Sequence, residues 1–124
     1  VIKKILIVED EEDIIELLSA IFDDRGDYRV LCARDGEEAL RIAQSNNPDI
    51  ILLDILLPKL NGYQVCKLIK SDPAMSHTKI LMLSGMAQNS DRRKAWEAGA
   101  DGYIAKPFSS TTLAAKVEEL LRSN

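Results

Sequence analysis

The sequence predicts an α/β fold: a doubly wound, five-stranded parallel sheet with helices on both faces. Two observations carry this expectation. Five short aliphatic runs alternate with segments of helical periodicity. Each connection is also long enough, at a dozen or more residues, to bring the chain back parallel to the strand before it. Five such units in 124 residues are too few for an eight-fold barrel, so the sheet is open.

The strand-like runs are Ile5-Leu6-Ile7-Val8, Tyr28-Arg29-Val30-Leu31-Cys32, Ile50-Ile51-Leu52-Leu53, Ile80-Leu81-Met82-Leu83 and Gly102-Tyr103-Ile104-Ala105. The first, third and fourth are continuously apolar, as strands covered on both faces should be. Arg29 interrupts the second, which suits a sheet edge. Between them, Ile14, Leu18 and Ile21, with Ile15 and Phe22 alongside, mark a helical face. Ala39, Ile42 and Ala43 mark a shorter one, as do Val65, Leu68 and Ile69; Leu113, Val117, Leu120 and Leu121 mark the last. The segment around Ala95 and Ala98 is weaker, with Trp96 its only large apolar group. Trp96 is expected to pack in the helix interface, since large aromatics are mostly buried. Loop chemistry separates the units at Arg25-Gly26-Asp27, Asn46-Asn47-Pro48, Asp72-Pro73 and Ala98-Gly99.

Composition narrows the function. The length fits a single domain, residues 1–124, and 46% apolar residues supply a core without staples. Sixteen Lys and Arg against 20 Asp and Glu give a net charge of -4. That balance argues against direct nucleic-acid binding, which needs clustered basic groups; the longest basic run is Arg92-Arg93-Lys94. Cys32 and Cys66 show no paired spacing and sit in apolar-periodic segments, so both are expected to be buried, inert thiols. No apolar run approaches the ~20 residues of a membrane span. Lys3-Lys4 leads into a strand-like run and not into a secretory signal, so the expected location is cytoplasmic.

An open parallel sheet places ligands outside the carboxyl ends of its strands, where the strand order reverses. Strand one ends in Glu9-Asp10, strand three in Asp54, strand four in Ser84-Gly85 and strand five in Lys106-Pro107. Each residue has a plain structural explanation: acids before a helix favour its dipole, and Asp54, Ser84 and Lys106 could serve as loop groups. Four such accidents along one crevice are improbable. Carboxylates held ~4 Å apart repel by roughly 4 kcal/mol per pair at an effective dielectric near 20. A divalent cation removes that cost, and hard oxygen ligands suit Mg²⁺. Lys106 can bind an anion brought to the metal, with Ser84 donating a hydrogen bond to it. Metal, carboxylate nucleophile, hydroxyl and ammonium form a phosphoryl-transfer set.

These residues resemble a response-regulator receiver domain of two-component signalling. The likeness is carried by Ile5-Leu6-Ile7-Val8-Glu9-Asp10-Glu11, Leu53-Asp54 through Pro58 to Asn61-Gly62, Leu83-Ser84-Gly85, and Gly99-Ala100-Asp101 through Lys106-Pro107-Phe108. It covers essentially the whole chain, and it implies a flavodoxin-like strand order 2-1-3-4-5. It also implies a phosphorylation-activated switch and not a turnover enzyme. Asp54 would accept a phosphoryl group from a sensor histidine kinase, a phosphotransfer protein or a small acyl phosphate. Asp10, Asp54 and the backbone carbonyl of Leu56 would ligate Mg²⁺, with Glu9 acting through a water. Lys106 would pair with the phosphoryl oxygens, and the Lys106-Pro107 bond would be cis. Ser84 and Tyr103 would form the switch pair, and a surface over roughly residues 88–122, with Trp96 (if not packed in the helix interface) and Tyr103 as its large apolar groups, would carry the signal to a downstream protein. The chain would be a monomer or a phosphorylation-dependent dimer, with no direct contact to nucleic acid or membrane.

Two apolar residues, Leu56 and Met86, stand two places after Asp54 and Ser84, where the resemblance implies that they flank the path of attacking water. They predict a comparatively long-lived acyl phosphate. His77 is expected to face solvent and to take no part in phosphotransfer. A phosphatase or phosphotransferase of the haloacid-dehalogenase kind shares the Asp nucleophile and Mg²⁺. It needs a second Asp two residues on as general acid, where this chain has Leu56. A degenerate receiver acting only as a binding module fits poorly, because every key position is occupied. A flavin-binding relative would carry a Ser/Thr phosphate loop after strand one, where this chain is acidic.

Overall fold

In the computed structural model, which describes residues 2–85 and 89–122, strands and helices alternate along the chain. They run β1 (Lys3–Val8), α1 (Glu12–Asp23), β2 (Tyr28–Ala33), α2 (Gly36–Asn46), β3 (Ile50–Asp54), α3 (Gly62–Lys70), β4 (Lys79–Ser84), α4 (Asn89–Glu97), β5 (Gly102–Ala105) and α5 (Ser110–Arg122). A 3-10 turn, Pro73–Met75, precedes β4. All strand pairs are parallel, in the order β2-β1-β3-β4-β5. The predicted architecture and strand order are both present.

The two-residue period of the strands sorts the core into two layers. Ile5, Ile7, Ile50, Leu52, Leu81 and Leu83 face Leu18 and Phe22 of α1 and Leu113, Val117 and Leu120 of α5. Leu6, Val8, Ile51, Leu53, Ile80 and Met82 face the other way, against Ala39 and Ala43 of α2, Val65, Cys66 and Ile69 of α3, and Ala95 of α4. Strands β1, β3 and β4 are covered on both sides, which is why their runs are unbroken.

Three expectations are corrected by this packing. Leu68 is 51% exposed. The buried arc of α3 is centred between Val65, Cys66 and Ile69, and at about 100° per residue Leu68 falls outside it. Trp96 is 54% exposed, because the narrow gap between α4 and the sheet is filled by the small Ala95 and the next residue turns away. Cys32 is only half-buried, since β2 is an edge strand; its Sγ lies 3.8 Å from Ser19 Oγ. Cys66 is buried as expected, and burial pushes its thiol up to about 12. No described helix is long and apolar enough to cross a membrane.

Candidate functional site

The strand registers bring the predicted residues to one edge. Val8 lies beside Leu53, Asp54 beside Leu83, and Ser84 beside Ala105, so the residues ending β1, β3, β4 and β5 stand side by side at the carboxyl end of the sheet. The strand order reverses between β1 and β3, which opens the crevice there.

Glu9 is drawn inward by the start of α1. The backbone N–H groups of Asp10 and Glu11 donate to its Oε1 at 3.1 and 3.3 Å, using donors that a helix N-terminus leaves free. Glu11, at the N-cap, makes no side-chain cap of its own. Glu9 is 2% exposed, whereas Asp10 remains open to solvent. Asp54, the last residue of β3, is buried; its Oδ1 accepts the Leu56 N–H at 3.4 Å. Lys106 Nζ lies 3.4 Å from Asp54 Oδ2 and 3.5 Å from Glu9 Oε2. The Lys106 backbone N–H donates to the Ser84 carbonyl at 2.6 Å, and the Lys106–Pro107 peptide is cis. Ser84 itself is buried at the end of β4.

Glu9, Asp10 and Asp54 each offer a carboxylate oxygen, and all three lie within 4.8 Å of one another. Glu9 Oε2 is buried and makes no hydrogen bond. A buried, unpartnered oxygen on a member of such a carboxylate cluster is what a hard divalent cation would satisfy. Burial first, then the closeness and charge of the Asp54 carboxylate, raises Glu9 from 4.5 to about 7; the Glu11 amide and Lys106 pull the other way without prevailing.

This crowding sets a pH dependence of stability in metal-free solution. A carboxyl whose pKa is higher folded than unfolded binds more protons when folded, so stability is lost as pH rises. Between about 4.5 and about 7, unfolding free energy is expected to fall by on the order of 3 kcal/mol through this group. Denaturant melts across that range, in the presence of a chelator, check it. A flat profile would show that Glu9 is already ionised in the fold.

Other candidates fall less centrally. Leu56 is 67% exposed at the rim of the site. Tyr103 is half-buried on β5 against the layer formed by α2, α3 and α4, and the Arg92 guanidinium sits 5.4 Å from its ring centroid. The sequence shows Arg92 only as part of a short basic run, and carries no signal for its contact with Tyr103. His77 is exposed. Met86, and residue 88 at the start of the expected signalling surface, lie outside the described residues.

Comparisons with known proteins agree with this geometry. The family model described as the response regulator receiver domain matches residues 5–118. The alkaline phosphatase synthesis transcriptional regulatory protein PhoP of Bacillus subtilis is 45% identical over 120 residues, covering 97% of this chain and 49% of that protein. This chain thus spans about half the length of the curated relatives it matches. Among solved structures, chemotaxis protein CheY4 of Vibrio cholerae superposes with a TM-score of 0.90 at 31% identity, over 97% of this chain and 99% of that one. The receiver domain of the sensor histidine kinase PA1611 of Pseudomonas aeruginosa, solved with a magnesium ion coordinated in its active-site cleft, gives 0.90 at 32% identity over 99% and 100%. With a family model spanning most of its length and the acidic crevice at the sheet edge, the chain belongs to the response regulator receiver domain family.

Proposed function

We propose that this chain is a phosphorylation-activated switch in which Asp54 accepts the phosphoryl group. The observation that carries the proposal is the cluster of Glu9, Asp10 and Asp54 with Lys106 Nζ against two of its members. An Asp54 carboxylate oxygen attacks phosphorus, the N–P bond of a phosphohistidine or the O–P bond of an acyl phosphate breaks, and the imidazole or carboxylate leaves. Asp10, Asp54 and the Leu56 backbone carbonyl would hold Mg²⁺, with Glu9 acting through water; the ion supplies charge neutralisation for the carboxylates and the incoming phosphate oxygens. Lys106 takes up the negative charge that arrives on Asp54 through charge-assisted hydrogen bonds.

The switch follows as a population shift. The phosphorylated form favours a state in which the Ser84 hydroxyl reaches the phosphoryl oxygens, and Tyr103 packs into the space this opens. Arg92 over the Tyr103 ring is a contact that this motion must remake, which links the site to α4, β5 and α5 as the surface offered to a downstream protein. The donor is a sensor histidine kinase or phosphotransfer protein.

Incubation with acetyl phosphate tests the proposal directly. Labelling should be Mg²⁺-dependent, hydroxylamine-labile and limited to one group per chain. Continuous turnover of the donor, as from a phosphatase, would overturn it. Mg²⁺ should also flatten the fall of metal-free stability with pH, because bound cation keeps Glu9 ionised. The exposed Leu56 gives a further expectation. An apolar side chain at the rim cannot orient water for attack on the acyl phosphate, so Leu56→Asn should speed loss of the phosphoryl group severalfold, measured as decay of labelled protein after donor removal. Equal decay rates would remove Leu56 from the control of lifetime.

A further inference from the structure

The chain leaving Asp54 doubles back on itself within eight residues. The Gly62 N–H donates to the Ile55 carbonyl at 2.8 Å, and α3 begins there. A Cβ at Gly62 would lie 2.5 Å from the Asp54 carbonyl oxygen and 2.8 Å from Ile55 Cα. Both are backbone atoms that no rotamer change can move. Gly62 sits in helical backbone and not in the left-handed region, so its glycine serves close approach and not an unusual φ. The first turn of α3 therefore rests directly on the peptide that carries Asp54, and the Asn61–Gln64 capping box fixes the helix in that place.

The crown of the same loop is held in the same way. A Cβ at Gly36, the first residue of α2, would lie 2.5 Å from Leu60 Cβ and 2.7 Å from the Leu60 carbonyl oxygen. The Gly36 N–H also donates to the Pro58 carbonyl at 3.4 Å. Lys59 adds ion pairs to Asp35 and Glu37 at 3.7 and 3.4 Å, but its own side chain is exposed and such pairs contribute little. The packed glycines set the position.

We infer that Gly62 is a positioning residue for Asp54, with Gly36 as the second jaw of the same clamp. The inference rests on Asp54 being the phosphoacceptor and names what holds it. The Leu56 N–H that donates to Asp54 Oδ1 belongs to this loop, so a side chain at Gly62 displaces both partners of that bond. Sites of this kind tolerate little displacement, since a shift of ~1 Å can cost a hundredfold.

Gly102 supplies the control, at the start of β5 and the opposite end of the sheet. A Cβ there meets only side-chain ends: Leu81 Cδ1 at 3.0 Å, Leu120 Cδ1 at 3.1 Å and Lys116 Cε at 3.3 Å. Gly62→Ala, Gly36→Ala and Gly102→Ala are compared with the unaltered chain by thermal melting, by Mg²⁺ calorimetry and by metal-free amide NMR spectra. Gly62→Ala should weaken Mg²⁺ binding by about tenfold or more and shift the amides of residues 54–56 without metal. Gly36→Ala should do so severalfold, and Gly102→Ala should lower the melting temperature while leaving Mg²⁺ affinity unchanged. The clamp is overturned if Gly62→Ala, measured equally far below its melting temperature, binds Mg²⁺ as Gly102→Ala does. Should Gly62→Ala fail to fold, unchanged affinity in Gly36→Ala overturns it instead. If the unaltered chain takes neither Mg²⁺ nor phosphoryl group, the phosphoacceptor proposal fails, and the amide shifts at 54–56 still decide whether the clamp exists.

Discussion

Asp54→Asn is expected to reduce labelling by acetyl phosphate to background while leaving the fold intact. The substitution is nearly isosteric, so the buried position at the end of β3 keeps its packing, and the side-chain oxygen can still accept the Leu56 N–H. What disappears is the anionic nucleophile. A neutral amide does not attack phosphorus at a useful rate, and neither Asp10, open to solvent, nor Glu9, held by two backbone amides, is placed to substitute for it. The variant should also behave differently without metal. The closeness and charge of the Asp54 carboxylate help raise Glu9; with the charge removed, Glu9 ionises more readily. The fall of stability from about pH 4.5 to about pH 7 should become shallower. Labelling followed by mass spectrometry, together with the paired pH melts, checks both effects. Residual hydroxylamine-labile phosphate in Asp54→Asn would place the acceptor elsewhere.

Much of this was legible because parallel sheets are regular. The unbroken runs at Ile5–Val8, Ile50–Leu53 and Ile80–Leu83 could only be strands covered on both faces, and their registers then align Glu9, Asp54 and Ser84 at one edge. The rest depended on distances that periodicity does not carry. The pattern of α3 named Leu68 as a core position, but the width of the buried arc was fixed by how closely the helix approaches the sheet. Trp96 is exposed for a related reason: Ala95 fills the gap under α4, and nothing in the sequence says that the gap is narrow. Of the adjacent acids Glu9 and Asp10, only one is buried, and the choice is made by where α1 begins and which amides it leaves free. Gly62 was visible as part of a motif, but its contact with the Asp54 peptide is a matter of tenths of an ångström.

Lys106→Met should separate two properties that a purely structural residue would change together. Among the described residues, Lys106 is the one side-chain cation within ion-pair distance of Glu9 and Asp54. Each contact, near 3.5 Å, represents an attraction of about 4–5 kcal/mol before desolvation at an effective dielectric near 20. Part of that attraction opposes any second cation entering the cluster. Removing the ammonium should therefore strengthen Mg²⁺ binding severalfold. It should also destabilise the metal-free protein, because two buried carboxylates lose their partner and Glu9 loses one of the influences that lower it. Phosphoryl uptake should move the opposite way, falling by roughly a hundredfold or more, as when a charge-stabilising donor is removed from a transition state. Phosphorylated protein that does form should no longer shift the Tyr103 environment, since the new charge has lost the group that draws it toward β5. Calorimetry for Mg²⁺, labelling kinetics and the NMR signals of the Tyr103 ring read the three effects separately. A joint loss of metal affinity and transfer would reduce Lys106 to a structural neutraliser. A rise in one with a fall in the other assigns it to the phosphoryl group.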